Sequence, residues 1–196
     1  MSDSDVTART ALTYQDYAAL PDDGKRYEVH DGELSPLPTP TTVHQIVSAE
    51  LAMALLAHVK RRNLGLVLIA PLDVILSDRP NETTIVQPDI LFLDQQRLSL
   101  ISNRAIEGAP ALVIEILLPS TAVIDRGRKR ELYARYGVPH LWFVDPGARE
   151  ITAHVLDSSG YRLTVRASGT DAIDLPPFTG LGLVPTSLWP EFPIRL

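Results

Sequence analysis

Apolar positions along the chain fall into two rhythms. Val43, Val47, Leu51, Ala54 and His58 recur at helical spacing and predict a first long helix, entered from the linker Pro38-Thr-Pro-Thr-Thr. Thr42 followed by Gln45 has the spacing of a capping box, which places the helix start there. Lys60-Arg61-Arg62-Asn63 and then Gly65 close it, with cations at the negative end of the helix dipole. The second rhythm is the continuous apolar run. Leu66 to Leu76, Val86 to Leu93 and Ala111 to Leu117 are β-branched and bounded by Asp, Pro, Asn and Gly, so each predicts a buried strand. Asp125 to Tyr136 predicts a second helix, ended by Gly137 and Pro139, and Leu141 to Val144 a further buried strand. Two hairpins are expected, Tyr27–Val29 with Glu33–Leu37 across His30-Asp31-Gly32, and Ile151–Leu156 with Tyr161–Arg166. A short helix is expected over Thr13–Ala19, and residues 1–12 read as a loose polar tail. The pattern predicts one α/β domain of the α+β type over residues 13–196: a mixed central sheet flanked by helices, with hairpins near both ends.

Composition narrows the chemistry. With 196 residues, 45% hydrophobic and 21% charged, the chain can bury a core unaided. It has no cysteine, which excludes disulfides, thiolate metal sites and cysteine nucleophiles. The start MSDSDVTART lacks the basic and apolar blocks of a leader, and the apolar stretch Leu64–Leu76 is interrupted by Pro71 and Asp73. A cytoplasmic protein with no membrane span is the expectation. The net charge of −6 excludes a broad basic coat for nucleic acid. That acidity is uneven. Residues 1–33 carry eight acids against three bases, whereas residues 34–135 carry ten acids against eleven bases.

Most familiar catalytic signatures are missing. There is no phosphate loop, no G-x-S-x-G, and no histidine pair at i, i+4. What stands out is acids inside apolar runs: Asp73, Asp89 and Glu115. Burying an unpaired carboxylate costs several kcal/mol or raises its pKa, so such acids are retained where a cation, a metal or hydrogen bonds satisfy them. In the helix that follows Glu115, a rotation of about 100° per residue puts Asp125, Lys129, Leu132, Tyr133 and Tyr136 on one stripe. Lys129 therefore points along the apolar face, toward the sheet. Two carboxylates and a lysine on neighbouring elements are a kit for metal-dependent phosphodiester hydrolysis. The carboxylates hold Mg²⁺ (or Mn²⁺), and the lysine orients or activates water or stabilises developing charge. The remote rival, a carboxylate-pair glycosidase, lacks the aromatics for a sugar cleft, at 6% of the chain.

Pro88-Asp89, then Glu115, then a lysine resembles the PD-(D/E)xK nuclease arrangement. The ordered set Arg26–Leu34, Val86–Phe92, Pro110–Glu115, Pro119-Ser-Thr121 and Asp125–Pro139, continuing to Leu141–Pro146, resembles the Uma2-like restriction endonucleases from about Thr13 to Leu183. The resemblance implies a restriction-endonuclease-like fold, with Asp89 and Glu115 as metal ligands. In the general pattern the lysine sits two residues after the glutamate. That position here is Leu117, and the family moves the lysine to the next helix, which points to Lys129. Asp73 is a further candidate ligand. Gln87, which shares strand parity with Asp89, is a candidate supporting residue, as are Glu33 and His44. Leu118 stands where the family carries a hydroxyl residue, and His140 where relatives often carry glutamate. The implied function is a Mg²⁺-dependent endonuclease on DNA, working as a homodimer because a duplex has two strands to cut. The alternative is a weakly active or inactive member that serves as a nucleic-acid-binding or assembly domain.

Overall fold

A computed structural model describes residues 11–191, so most of the expected tail lies outside the described residues. Its end is anchored: the N–H of Leu12 donates to the carbonyl of Gly32 at 3.0 Å. Helix α1 (Tyr14–Ala18) opens with a complete capping box between Thr13 and Asp16. Strands β1 (Arg26–His30) and β2 (Glu33–Leu37) form the first hairpin, with His30 opposite Glu33. Asp31 (φ 54°) and Gly32 (φ 80°) both take the left-handed conformation that a two-residue turn of this kind requires.

Helix α2 (Thr42–Arg62) starts one residue earlier than the capping-box spacing suggested. Its N-cap is Thr41, whose hydroxyl accepts from the N–H of His44 at 3.2 Å. The buried stripe is rotated accordingly: Val47, Leu51, Leu55 and Val59 are fully covered, while Val43 and Ala54 lie at its margin. Asn63, left-handed at φ 52°, caps the end.

The sequence pattern fails at the next two strands, for one physical reason. The run Leu66–Leu76 is not one strand but two, β3 (Gly65–Ile69) and β4 (Val74–Ser77), in different sheets. Likewise Val86–Leu93 is divided between β5 (Thr84–Val86) and β6 (Ile90–Asp94), again in different sheets. Pro71 and Pro88 mark the two crossings, where a residue without an N–H has no ladder position to fill. The crossings lie side by side, joined by the N–H of Ala70 donating to the carbonyl of Asp89 at 3.0 Å.

Strands β7 (Ile106–Glu107) and β8 (Leu112–Ile116) follow. A continuous helical segment then runs through α3 (Ala122–Ile124), a π-helical turn (Asp125–Lys129) and α4 (Arg130–Arg135). It leads to β9 (His140–Asp145), β10 (Glu150–Asp157) and β11 (Gly160–Ala167). His140 is half-buried at the first position of β9. One sheet has the order β2-β1-β5-β4-β7 and the other β11-β10-β9-β8-β6-β3. Strands β8 and β9 are parallel, which demands a crossover, and the helical segment supplies it.

Strand parity distributes the six-stranded sheet between two cores. Ile90, Phe92, Leu112, Ile114, Ile116 and Trp142 face α2 and the C-terminal segment, where the Trp142 indole donates to the Pro176 carbonyl at 2.7 Å. Leu91, Leu93, Val113, Leu117, Leu141 and Phe143 face the other way, against Val74 and Val86 of the five-stranded sheet and Tyr133 of α4. Glu115 has the parity of Val113 and Leu117, so its carboxylate is directed toward this second layer and toward the helix that carries Lys129.

Candidate active site

Asp89 sits at the crossing between the sheets, one residue before β6, with its side chain 17% exposed. Its Oδ2 accepts from the backbone N–H of Ile116 at 2.7 Å. Ile116 follows Glu115 on the neighbouring strand, so this bond fixes the two acids side by side. The other oxygen, Oδ1, lies 3.1 Å from Nε2 of His44 in the first turn of α2. Nδ1 of His44 is buried and has no protein partner.

Glu115 is 4% exposed. Its Oε1 accepts from the Tyr133 hydroxyl at 2.5 Å and lies 2.7 Å from Nζ of Lys129. The lysine, 3% exposed, is also 3.0 Å from Oε1 of Glu28 and 3.8 Å from Oδ1 of Asp125. Glu28 is held in turn by the backbone N–H of Gln87 at 2.7 Å and by Nε2 of His30 at 3.0 Å. The π-helical turn contains both Asp125 and Lys129, and both are buried. A turn of this kind costs backbone geometry and is found mostly where a site needs its side chains re-aimed. Three hydrogen bonds pin the helix to the β1–β2 hairpin: Arg128 to the His30 carbonyl (2.6 Å), Arg128 to Glu33 (3.2 Å) and Arg135 to Asp31 (2.6 Å).

The charges around Lys129 do not cancel. Burial alone would push the Glu28 carboxyl up, but the lysine, His30 and the Gln87 N–H overcome it and hold the pKa down at about 2. Glu115 moves the opposite way. Burial raises it well above the ordinary carboxyl range, the lysine only partly offsets this, and Asp125, Asp89 and Glu28 push it further up. Burial likewise raises Asp125, against the pull of Lys129. Burial disfavours the Lys129 ammonium, yet Glu115, Glu28 and Asp125 outweigh that and raise its pKa. These carboxylates favour the ammonium form of Lys129. An ammonium in this position is suited to orienting water or stabilising developing charge.

His44, Gln87, Asp89, Glu115, Asp125 and Lys129 line a common cleft of about 40 Å³, with Arg26 and Leu118 also in its wall. That volume admits a few waters or a small hydrated ion, since one water needs about 10–15 Å³. Among the described residues no three His, Asp or Glu side chains converge into a closed cage. Mg²⁺ does not need one, because it keeps several waters and takes one or two carboxylates together with substrate phosphate. The excess of buried carboxylates over cations, and the partnerless Oε1 of Gln87 at the cleft wall, fit a hydrated divalent cation at Asp89 and Glu115.

The structure brings Asp89, Glu115, Lys129, Gln87 and His44 together. Two other candidates are placed elsewhere. Asp73, between β3 and β4, does not line the cleft; its Oδ1 accepts from Nε2 of Gln87 (2.8 Å) and from the Tyr17 hydroxyl (2.9 Å). It holds the Gln87 amide. Glu33 is exposed on β2, and the strand directs it to Arg128, away from the cleft. Glu28 was overlooked by sequence reasoning although it obeys the same rule as the other acids, lying between Tyr27 and Val29 in a strand. Tyr133, on the same helix stripe as Lys129, is fully buried, and its hydroxyl has a partner in the site.

Two mixed sheets that exchange strands beside a carboxylate pair, with a helix crossing between parallel β8 and β9, define a restriction-endonuclease-like fold. The chain belongs to the Uma2 family, described as "Putative restriction endonuclease", whose model matches residues 14–187. The crystal structure of "a putative nuclease belonging to DUF820" from Anabaena variabilis is similar, with a TM-score of 0.70 and 19% identity over 90% of this chain and 97% of that one. No curated protein matches the sequence.

Proposed function

We propose that the protein is a divalent-metal-dependent endonuclease that hydrolyses DNA phosphodiester bonds at the cleft between Asp89 and Glu115. The observation that carries this reading is the placing of Asp89 against the strand of Glu115 by the N–H of Ile116, with both acids lining one cleft and the Lys129 ammonium 2.7 Å from Glu115. Membership of the Uma2 family supports it. Asp89 and Glu115 hold Mg²⁺ or Mn²⁺, which when bound acidifies water and neutralises charge on phosphate oxygens. Lys129 holds Glu115 in place and adds fixed positive charge beside the scissile phosphate. Tyr133 holds the same carboxylate oxygen from the helix side, and His44 orients Asp89. Cutting both strands of a duplex takes two such clefts, so the reading carries a homodimer, which light scattering at micromolar concentration checks.

The experiment is incubation of purified protein with plasmid and oligonucleotide DNA in Mg²⁺ or Mn²⁺. Cleavage that is lost in Asp89→Asn and in Glu115→Gln is the expected result. No cleavage of any DNA form, or equal cleavage by both variants, overturns the reading. Leu118 favours a second reading, because it gives the cleft wall no polar atom. A non-catalytic nucleic-acid-binding domain would retain DNA affinity while calorimetry finds no bound divalent metal.

A further inference from the structure

A second cleft of about 350 Å³ adjoins the first and shares Arg26, Pro40, His44 and Asp89 with it. Its floor is the first turns of α2, with Gln45, Ser48 and Ala49, and its far wall is the turn Ile69-Ala70-Pro71 between the two sheets. The volume lies in the range of small-molecule pockets, about 300–1,000 Å³.

Three features of this cleft favour a phosphodiester. Arg26 is half-buried at the wall common to both clefts and makes no ion pair among the described residues, although its neighbour Lys25 pairs with Asp23. A guanidinium left free beside an acidic site presents a fork of donors that matches a phosphate. Second, the first turn of the 21-residue helix α2 contains no acid, so the helix brings no carboxylate of its own to its positive end, and the one acid beside it is Asp89, 3.1 Å from Nε2 of His44. His44, in that turn, is 5% exposed with Nδ1 unpartnered, and it lines both clefts. Third, no Phe, Tyr or Trp side chain lines the second cleft and its one ring, the His44 imidazole, is buried, so a base finds little to stack on and the recognisable part of a nucleotide is its backbone.

We propose that the second cleft is a backbone subsite that binds the DNA phosphodiester adjacent to the one being cut, with Arg26 as its principal cation and the first turn of α2 as its second anion-binding element. The subsite rests on the nuclease reading for its place beside a scissile bond, but its binding is measurable without cleavage. It reads no sequence, because its donors meet phosphate oxygens that every nucleotide carries.

The test is fluorescence anisotropy with a labelled DNA duplex in EDTA across a salt series, using the full chain and the variants Arg26→Gln, Ala49→Glu and Arg61→Gln. Ala49→Glu adds a carboxylate at an exposed position of the cleft floor, and Arg61→Gln removes an exposed cation at the far end of α2. Arg26→Gln and Ala49→Glu are expected to weaken binding at least tenfold. For Arg26→Gln the slope of log affinity against log salt falls by about one unit. Arg61→Gln stays within about twofold, with its Mg²⁺ affinity by calorimetry unchanged. Equal losses for Arg61→Gln and Arg26→Gln, or unchanged binding in both cleft variants, overturn the subsite. Cleavage by the parent chain separates the two claims. A chain that cuts nothing but binds DNA through Arg26 refutes the nuclease reading alone. A chain that cuts DNA with KM unchanged in Arg26→Gln and in Ala49→Glu refutes the subsite alone.

Discussion

Nζ of Lys129 lies 2.7 Å from Oε1 of Glu115 and 3.0 Å from Oε1 of Glu28, so one ammonium joins a strand of each sheet. The lysine is the only cation in this buried knot among the described residues, apart from whatever charge His30 carries. Removing it leaves Glu28, Glu115 and Asp125 without the cation they share.

Lys129→Met is therefore expected to destabilise the fold by about 3–5 kcal/mol, the usual cost of orphaning a buried charge. Urea denaturation monitored by Trp fluorescence measures this. The double variant Lys129→Met/Glu115→Gln should recover part of the loss, because it removes one of the stranded acids. A double variant less stable than Lys129→Met would contradict the assignment.

Glu115→Gln is expected to abolish cleavage while raising stability at pH 7. The raised pKa of Glu115 means that the folded state holds its proton more tightly than the unfolded chain does. Its unfavourable contribution is absent below about pH 4.5 and grows as pH rises toward the folded value. The gain from Gln should be present at pH 7 and nearly vanish at pH 4. A variant equally stabilised at both values would show that packing, not ionisation, is responsible.

Glu28 has the opposite sign. Its pKa of about 2 lies below the ordinary 4.5, so its stabilising contribution is complete above pH 4.5 and is lost as pH falls toward 2. Glu28→Gln should lower stability at pH 7 and flatten the acid limb of the stability curve in that window. Midpoints collected from pH 7 to pH 2.5 for both chains decide the matter.

Asp73→Asn separates a metal ligand from a positioning residue. Asp73 touches Gln87 and Tyr17 and does not line the cleft, so the variant should keep the divalent-metal affinity of the parent within about twofold. Cleavage should fall by less than tenfold. A loss of metal affinity comparable to that of Asp89→Asn would place Asp73 among the ligands.

Much of this was legible in the sequence because burial and periodicity act locally. The stripe Asp125, Lys129, Leu132, Tyr133 survives the π-helical turn, since spacings of four hold their face when one turn is widened. Asp89 and Glu115 were visible as charges in apolar runs. The division of Leu66–Leu76 and Val86–Leu93 between two sheets was not visible, because each half of a run is buried whichever sheet it joins. Only Pro71 and Pro88 marked the switch. Asp73 and Asp89 looked alike for the same reason: both sit at a crossing, but only Asp89 borders β8 and its Ile116 N–H. Glu28 escaped because a short hairpin strand with one acid reads as a solvent-facing alternation, whereas Lys129 of the π-helical turn and Gln87 at the crossing pack on it.

The measurement that bears most directly on the central claim is anomalous diffraction from crystals of the protein soaked in Mn²⁺. The account predicts a single strong peak between the carboxylates of Asp89 and Glu115, about 2.0–2.2 Å from an oxygen of each, with the Lys129 ammonium still on Glu115. No peak there at saturating Mn²⁺, or a peak held by other residues, would contradict it.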